Sequence, residues 1–488
     1  MKILVYNYAD FAYFFLEVIK FSREEGVDIE WRSLVLSERF FAPYIKTIGK
    51  DNTYYIHPWL NELMRKPGVN MNIFEDYPAS IYSSLYSDKG EGKLRRMSRE
   101  YSLKYVFSVY SMYKEILDKE RPDCVFFPII ESTDAVILFN LCIEKKIEPV
   151  IYCWGRNFGV SFFSNTLNGE LPPYAMNLTL NEEEKGRALE FIQNFRRNLK
   201  SPGYVFQGQQ SSIKIKDLSV VGKSFKYFKR VLTRKEPHNV SDKSFIGKMM
   251  TNSQGFCRFL RKINDILNKR FFDLNSVTQL PDKFIYYPLH VSPESSINVM
   301  APFFAGQLRA IDLILENMPS THYLVVKEHP GMAGVRNASF YRDLRKRAGV
   351  LLVDYSLNSV ELIKRAACTM GVTGTSCLEA FLLGKPSIHL GREFFTDWIR
   401  KLDNLDNFHC VISEAVNSKE IDLDKIVDLT ARVLKIGYDF VLFSPGDPNL
   451  EVSWVMNKSN INKFLNSLLC HIDRVKLYEN SLCFRNKA

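Results

Sequence analysis

The chain has 488 residues, 46% hydrophobic and 25% charged, more than one core usually fills, so two globular domains are expected. Its formal charge of +10 is uneven, with fifteen Lys or Arg against four Asp or Glu between Ile213 and Phe271. Nine scattered cysteines without a Cys-x-x-Cys pair argue against a disulfide framework or a zinc site, and the lack of a signal-type or membrane-spanning apolar run leads us to expect a cytoplasmic protein.

Lys2 to Tyr6 reads as a first buried strand and Asp28 to Leu34 as another. The segment Ser98 to Lys119 is predicted helical, with Leu103, Val106, Phe107, Tyr110, Tyr113 and Leu117 along one face. Cys124 to Pro128, Asp134 to Lys145 and Pro149 to Tyr152 then read as strand, helix and strand, a βαβ unit ending in Cys-Trp-Gly-Arg-Asn-Phe-Gly. Ligand contacts gather at the carboxyl edge of such units, which makes Glu131, Ser132, Arg156 and Asn157 candidates for acceptor binding, beside the plainer reading as loop residues.

From about Asn198 to Pro281 the pattern breaks into a polar, basic and aromatic connector. Within it Ser224 to Lys235 has the mixture of an interfacial helix on an anionic lipid surface, and equally that of a linker whose aromatics pack on a domain. No RNA or DNA motif accompanies the charge, so nucleic acid is not an expected partner.

The carboxyl-terminal half alternates more regularly. Phe284 to Leu289, Tyr323 to Val326, Val350 to Val353, Cys368 to Val372 and Ser387 to Leu390 are predicted strands, with helices over Phe303 to Asn317 and Ala338 to Arg347. Asn358, with Glu361 three residues on, starts another helix. This order predicts a parallel Rossmann-like sheet covered on both faces. No Gly-x-Gly-x-x-Gly follows any of its strands, which favours a mononucleotide carrier over a dinucleotide.

Three polar loops leave the carboxyl ends of these strands. In Thr373 to Pro386 a strand ends in a small-residue turn that opens a helix: Gly374 permits close backbone approach, Thr375 and Ser376 supply hydroxyls, and the first helical N–H groups face an anion. An ordinary N-cap is the alternative there. Cys377 beside it reads as a core residue. Lys327 and His329 alternate about Glu328, so both should leave the chain on one side and together neutralise a departing phosphate. Arg336 could grip phosphate bidentately or pair with a surface acid. His290 and Glu294 suit acid–base or nucleophilic work at a sugar carbon, and Glu294 equally suits a helix cap after Pro293. None of these loops supplies an Asp-x-Asp or a His/carboxylate cage, so a metal-independent site is expected.

In that order, Tyr-Pro-Leu-His-Val-x-Pro-Glu-Ser-Ser, Val-Lys-Glu-His-Pro-Gly and Thr-Gly-Thr-Ser-x-Leu-Glu-Ala-x-x-x-Gly-Lys-Pro resemble bacterial capsular-polysaccharide biosynthesis proteins, which include relatives of the capsule Kdo transferases. The resemblance covers about Phe284 to Gly391. It implies the GT-B glycosyltransferase fold: two doubly wound α/β domains facing a cleft, with a carboxyl-terminal helix, here Asn457 to Leu477, returning to the first. The layout expected is an acceptor domain over 1–200, a basic connector over 201–280, a nucleotide-sugar domain over 281–435 and a returning segment over 436–488. The resemblance further implies that Lys327, His329, Thr375 and Ser376 face the donor phosphate, with Glu379 near the ribose; Thr373 and Gly374 of the same turn are counted with them as donor-binding candidates. Kdo transferases carry an Asp-and-Gln loop where this chain has His290 to Ser296, a departure at the donor sugar. The expected partners are a nucleotide-sugar co-substrate, a glycan or lipid-linked glycan, and an anionic membrane surface at the connector, with no bound cofactor. A nucleotide-sugar epimerase, a transferase of polyol phosphate from a cytidine nucleotide and a non-catalytic assembly scaffold are the alternatives.

Overall fold

The computed structural model describes residues 1–8, 11–36, 38–66, 99–199, 256–292, 295–418, 421–442 and 455–485. Glu294 and the segment Ser224 to Lys235 lie outside these residues. The chain divides into two compact units, one with its described residues in 1–191 and 427–488, the other in 192–426.

In the first unit β1 (Lys2–Asn7), β2 (Glu30–Val35), β3 (Thr53–Tyr55), β4 (Cys124–Phe127), β5 (Glu148–Trp154) and β6 (Ser161–Ser164) stand in the order β3-β2-β1-β4-β5-β6. All pairs are parallel except β5 with β6. The order reverses between β1 and β4, and a sheet of this kind opens a crevice at the carboxyl ends of those strands. One face is sealed by aromatic rings around Phe464 of the helix Lys458–Arg485. Its ring lies 5.2 Å from Phe14, 5.6 Å from Phe126 and 5.2 Å from Phe440. Such pairs add about 0.5–1.5 kcal/mol each beyond the area they bury. The last helix therefore returns to the first unit, as expected.

The second unit is a sheet of β7 (Phe284–Pro288), β8 (Tyr323–Lys327), β9 (Val350–Val353), β10 (Cys368–Gly371), β11 (Ser387–His389) and β12 (Arg400–Lys401), in the order β12-β11-β10-β7-β8-β9. Every pair is parallel. Along β7, Ile285 and Tyr287 enter one apolar cluster while Phe284 and Tyr286 enter another, so both faces are buried. Helices over both faces are what an all-parallel sheet requires. The fold class is thus α/β with two Rossmann-like units, as the alternation predicts.

One local expectation is corrected, and three strands carry no signal in the sequence. The helix expected from Phe303 starts at Gln307, because Pro302 and Gly306 break the run into a 3-10 turn at Pro302–Phe304 before it. The strands β3, β6 and β12 have three, four and two residues, too short to show a period of two.

The helix Phe256–Asn268 is seated on the segment after β8 at Gly334, which has φ +70 and where an added Cβ would lie 2.0 Å from the Arg261 carbonyl oxygen. Replacing Gly334 with alanine is expected to destabilise the protein by about 2 kcal/mol or more, from the left-handed backbone and the displaced helix together. A denaturation midpoint equal to wild type would contradict this seating.

Candidate functional site

The strand order of the second sheet reverses between β7 and β10. Loops after these two strands and after β8 therefore meet at one carboxyl edge, the place where doubly wound sheets bind ligands. After β7, the His290 N–H donates to Gln307 Oε1 at 2.7 Å, and its carbonyl accepts from Gln307 Nε2 at 3.3 Å. Its ring lies over the turn after β10: a Cβ built on Gly374 would stand 3.3 Å from His290 Cε1. Gly374 has φ +104, so the turn uses glycine both for its backbone and for this close approach.

Lys327, the last residue of β8, is buried, and its Nζ donates to Ser359 Oγ at 2.7 Å. Burial lowers its pKa to about 8, against the opposing pull of Glu379 and Asp354. His329 Nδ1 accepts from the Gly331 N–H at 3.0 Å. Burial, followed by the charges of Lys327 and Arg336, pushes the imidazole down to about 4. The ring is therefore neutral at pH 7, and with Nδ1 accepting, its proton sits on Nε2. Where the two were expected to neutralise a phosphate together, Lys327 presents a largely protonated ammonium and His329 a neutral imidazole with one N–H.

Glu328, between them, is the hub of the edge. Its carboxylate accepts from the His329 N–H at 2.6 Å and from Tyr341 OH at 2.8 Å, and pairs with Arg336 Nε at 2.8 Å. Burial raises its pKa, opposed by Arg336 and the two hydrogen bonds. Arg336 also donates to the His290 carbonyl and lies 4.6 Å over the Phe340 ring. Its guanidinium is thus buried and ties the His290 and His329 loops together; it neither pairs with a surface acid nor projects as a phosphate grip. The sequence reading passed over Glu328 because its partners Tyr341 and Arg336 come from beyond the loop.

In the turn after β10, Thr373 is buried while Gly374, Thr375 and Ser376 are half-buried at the start of the helix Thr375–Leu382. The Gly374 N–H donates to Glu393 Oε2 at 3.2 Å, so that amide already faces a carboxylate of the protein itself. An incoming phosphate has to rely on Thr375 and Ser376 or move Glu393. Glu379 is 5% exposed and acts electrostatically on Lys327 and Tyr286. Cys377 is buried, as its core role requires.

In the first unit, Ser132 precedes the helix Thr133–Glu144 at the β1/β4 reversal, with its Oγ 3.1 Å from Tyr6 OH. Tyr6 and Tyr113 both donate to Asp134 Oδ2, at 2.8 and 3.2 Å. His57, its pKa lowered by burial, feels the Asp134 charge. Glu131 adjoins this cluster in sequence. Arg156 and Asn157 lie beyond β5, in the 3-10 turn Arg156–Phe158 that leads to β6, one strand farther from the reversal. The four candidates thus divide between two places on the edge. Among the described residues no three His, Cys, Asp or Glu side chains gather to hold a metal ion.

A family model described as capsule polysaccharide biosynthesis protein matches residues 226–410. No curated protein matches the chain. Among solved structures, Thermosulfurimonas dismutans KpsC, beta Kdo 2,7 transferase, is similar at 12% identity over 68% of this chain and 80% of that one, with TM-score 0.33. The UDP-GlcNAc 2-epimerase from Methanocaldococcus jannaschii is similar at 12% identity over 89% of this chain and 99% of that one, with TM-score 0.25. The family match spans all three polar loops of the second unit's sheet edge.

Proposed function

We propose that the protein is a glycosyltransferase that moves a sugar from a nucleotide-sugar donor to a growing bacterial surface polysaccharide of capsule or O-antigen type, lipid-linked and presented at the inner face of the membrane. The observation that carries this reading is the edge at the β7/β10 reversal, where a buried Lys327 and the His329 imidazole follow β8 and the half-buried start of the Thr375–Leu382 helix follows β10, the two strands that flank β7. A cation, a neutral N–H and helix-end amides suit the phosphates of a nucleotide sugar, whose departure is helped most by stabilising the developing negative charge. Glu379 supports Lys327 in this reading, and Arg336 and Glu328 position the loops. The acceptor is assigned to the first unit, at Glu131 and Ser132 beside Tyr6 and Asp134, with Arg156 and Asn157 as outlying contacts.

The test is a panel of CMP-, UDP-, GDP- and CDP-linked donors with and without a glycan acceptor, in chelator and with added magnesium. Nucleotide released only when acceptor is present, and equally in chelator, is the expected result. Conversion of the donor without acceptor would mean an epimerase, and binding of no nucleotide would mean a scaffold.

A further inference from the structure

The helix Phe256–Asn268 is oriented against the usual rule for a globular protein. Four of its polar side chains, Arg261, Asn264, Asp265 and Asn268, bond to the protein. Arg261 donates to the carbonyls of Ala333 and Gly331, both at 2.7 Å, and Asn264 to those of Gly334 and Arg336 at 2.9 and 3.0 Å. Asn268 donates to Arg336 at 3.1 Å, and Asp265 accepts from Tyr355 OH at 2.7 Å. Its apolar residues Ile263, Ile266 and Leu267 are 39%, 60% and 51% exposed. Spaced three and four apart, they share one face, and a patch of this kind marks an interaction surface.

We infer that this face docks on an anionic lipid bilayer. Charge selects that occupant. Lys262, Lys269 and Arg270 are exposed on and just beyond the same helix, while its one acid, Asp265, is turned inward to Tyr355. The chain before the helix is also cationic, with ten Lys or Arg against three Asp or Glu between Ile213 and Gly255. Folding that segment back over the helix would set like charges together, as would pairing with a second copy of this chain. An anionic surface instead attracts both segments while Ile263, Ile266 and Leu267 enter the boundary between headgroups and acyl chains. No described helix is long and apolar enough to cross a membrane, so the contact is one of lying on the surface. The inference goes beyond the glycosyltransferase reading and needs no substrate.

The experiment uses the full chain with phosphatidylglycerol–phosphatidylcholine vesicles and with pure phosphatidylcholine vesicles. Wild type should sediment with the anionic vesicles only, and less so at high salt. The double substitution Ile266→Ser with Leu267→Ser should lower partitioning about tenfold or more at an unchanged thermal midpoint, since both side chains are exposed. Undiminished sedimentation of this variant, or none for wild type, would overturn the proposal. Thiol modification of an Ile266→Cys variant, followed by mass spectrometry, distinguishes the occupants: slowing by anionic vesicles alone supports docking. Protection without vesicles would mean that the chain's own segment, or a second copy if the protection grows with protein concentration, covers the face, and either overturns it.

Discussion

Replacing Lys327 with methionine is expected to lower kcat/KM for the nucleotide-sugar donor by about 10²–10³-fold, the loss that follows removal of one fixed group that stabilises developing charge. Methionine keeps the length and the buried volume of the side chain, so the sheet should remain folded, with only the Ser359 hydrogen bond lost. The pH dependence offers a second readout. The Lys327 ammonium, with its pKa near 8, is charged at neutral pH, and donor affinity should weaken as pH rises through about 8. The effect on stability has the opposite sign. With a folded pKa below the ordinary 10.5, the unfolded chain binds more protons between about 8 and 10.5, so this group makes the fold more stable as pH rises there. Weaker binding above pH 8 would then accompany no loss of fold from Lys327, and the inflection should be absent from the methionine variant. An unchanged kcat/KM in that variant would remove Lys327 from the donor site.

Replacing His329 with alanine should cost about 10²-fold in kcat, comparable to loss of one donor to a developing anion, with the thermal midpoint little changed. Because the ring is neutral and its Nδ1 is engaged by Gly331, the active group is Nε2–H. His329→Gln, whose amide N–H can reach a similar position, should recover part of that loss. A catalytic imidazolium would behave differently: activity would rise as pH falls through 6.5, and glutamine would rescue nothing. With a pKa near 4, no such rise is expected near neutral pH. Full activity in the alanine variant would discard the proposed site.

These expectations rest on features of unequal legibility. The turn at Gly374 was readable because strand, small residues and helix follow one another along the chain, and their geometry depends on neighbours only. The switch between β7 and β10 was not readable, since the order in which strands pair depends on contacts across more than eighty residues, as between Cys368 and Ile285. Arg336 shows the difference clearly. Its charge suited phosphate or an acid equally well, and only packing against Phe340 and the distance to Glu328 separate the two. His329 was legible as a candidate but not as a neutral one, because its protonation follows from burial and from the charges of Lys327 and Arg336.

By itself the sequence determined the α/β class, the alternation that makes the second unit parallel and the three polar loops in their order. Each is written in periodicity or in adjacent residues, where local sterics and burial patterns act. Tertiary structure alone decided that Glu393 occupies the Gly374 amide, that Glu328 and Arg336 bind the loops to each other, and that Asp134 receives two tyrosines. It also decided that Ile263, Ile266 and Leu267 of the helix Phe256–Asn268 turn to solvent. Hydrogen bonds and ion pairs of this kind form between groups remote along the chain, and their energies depend on distance and burial that no local pattern encodes.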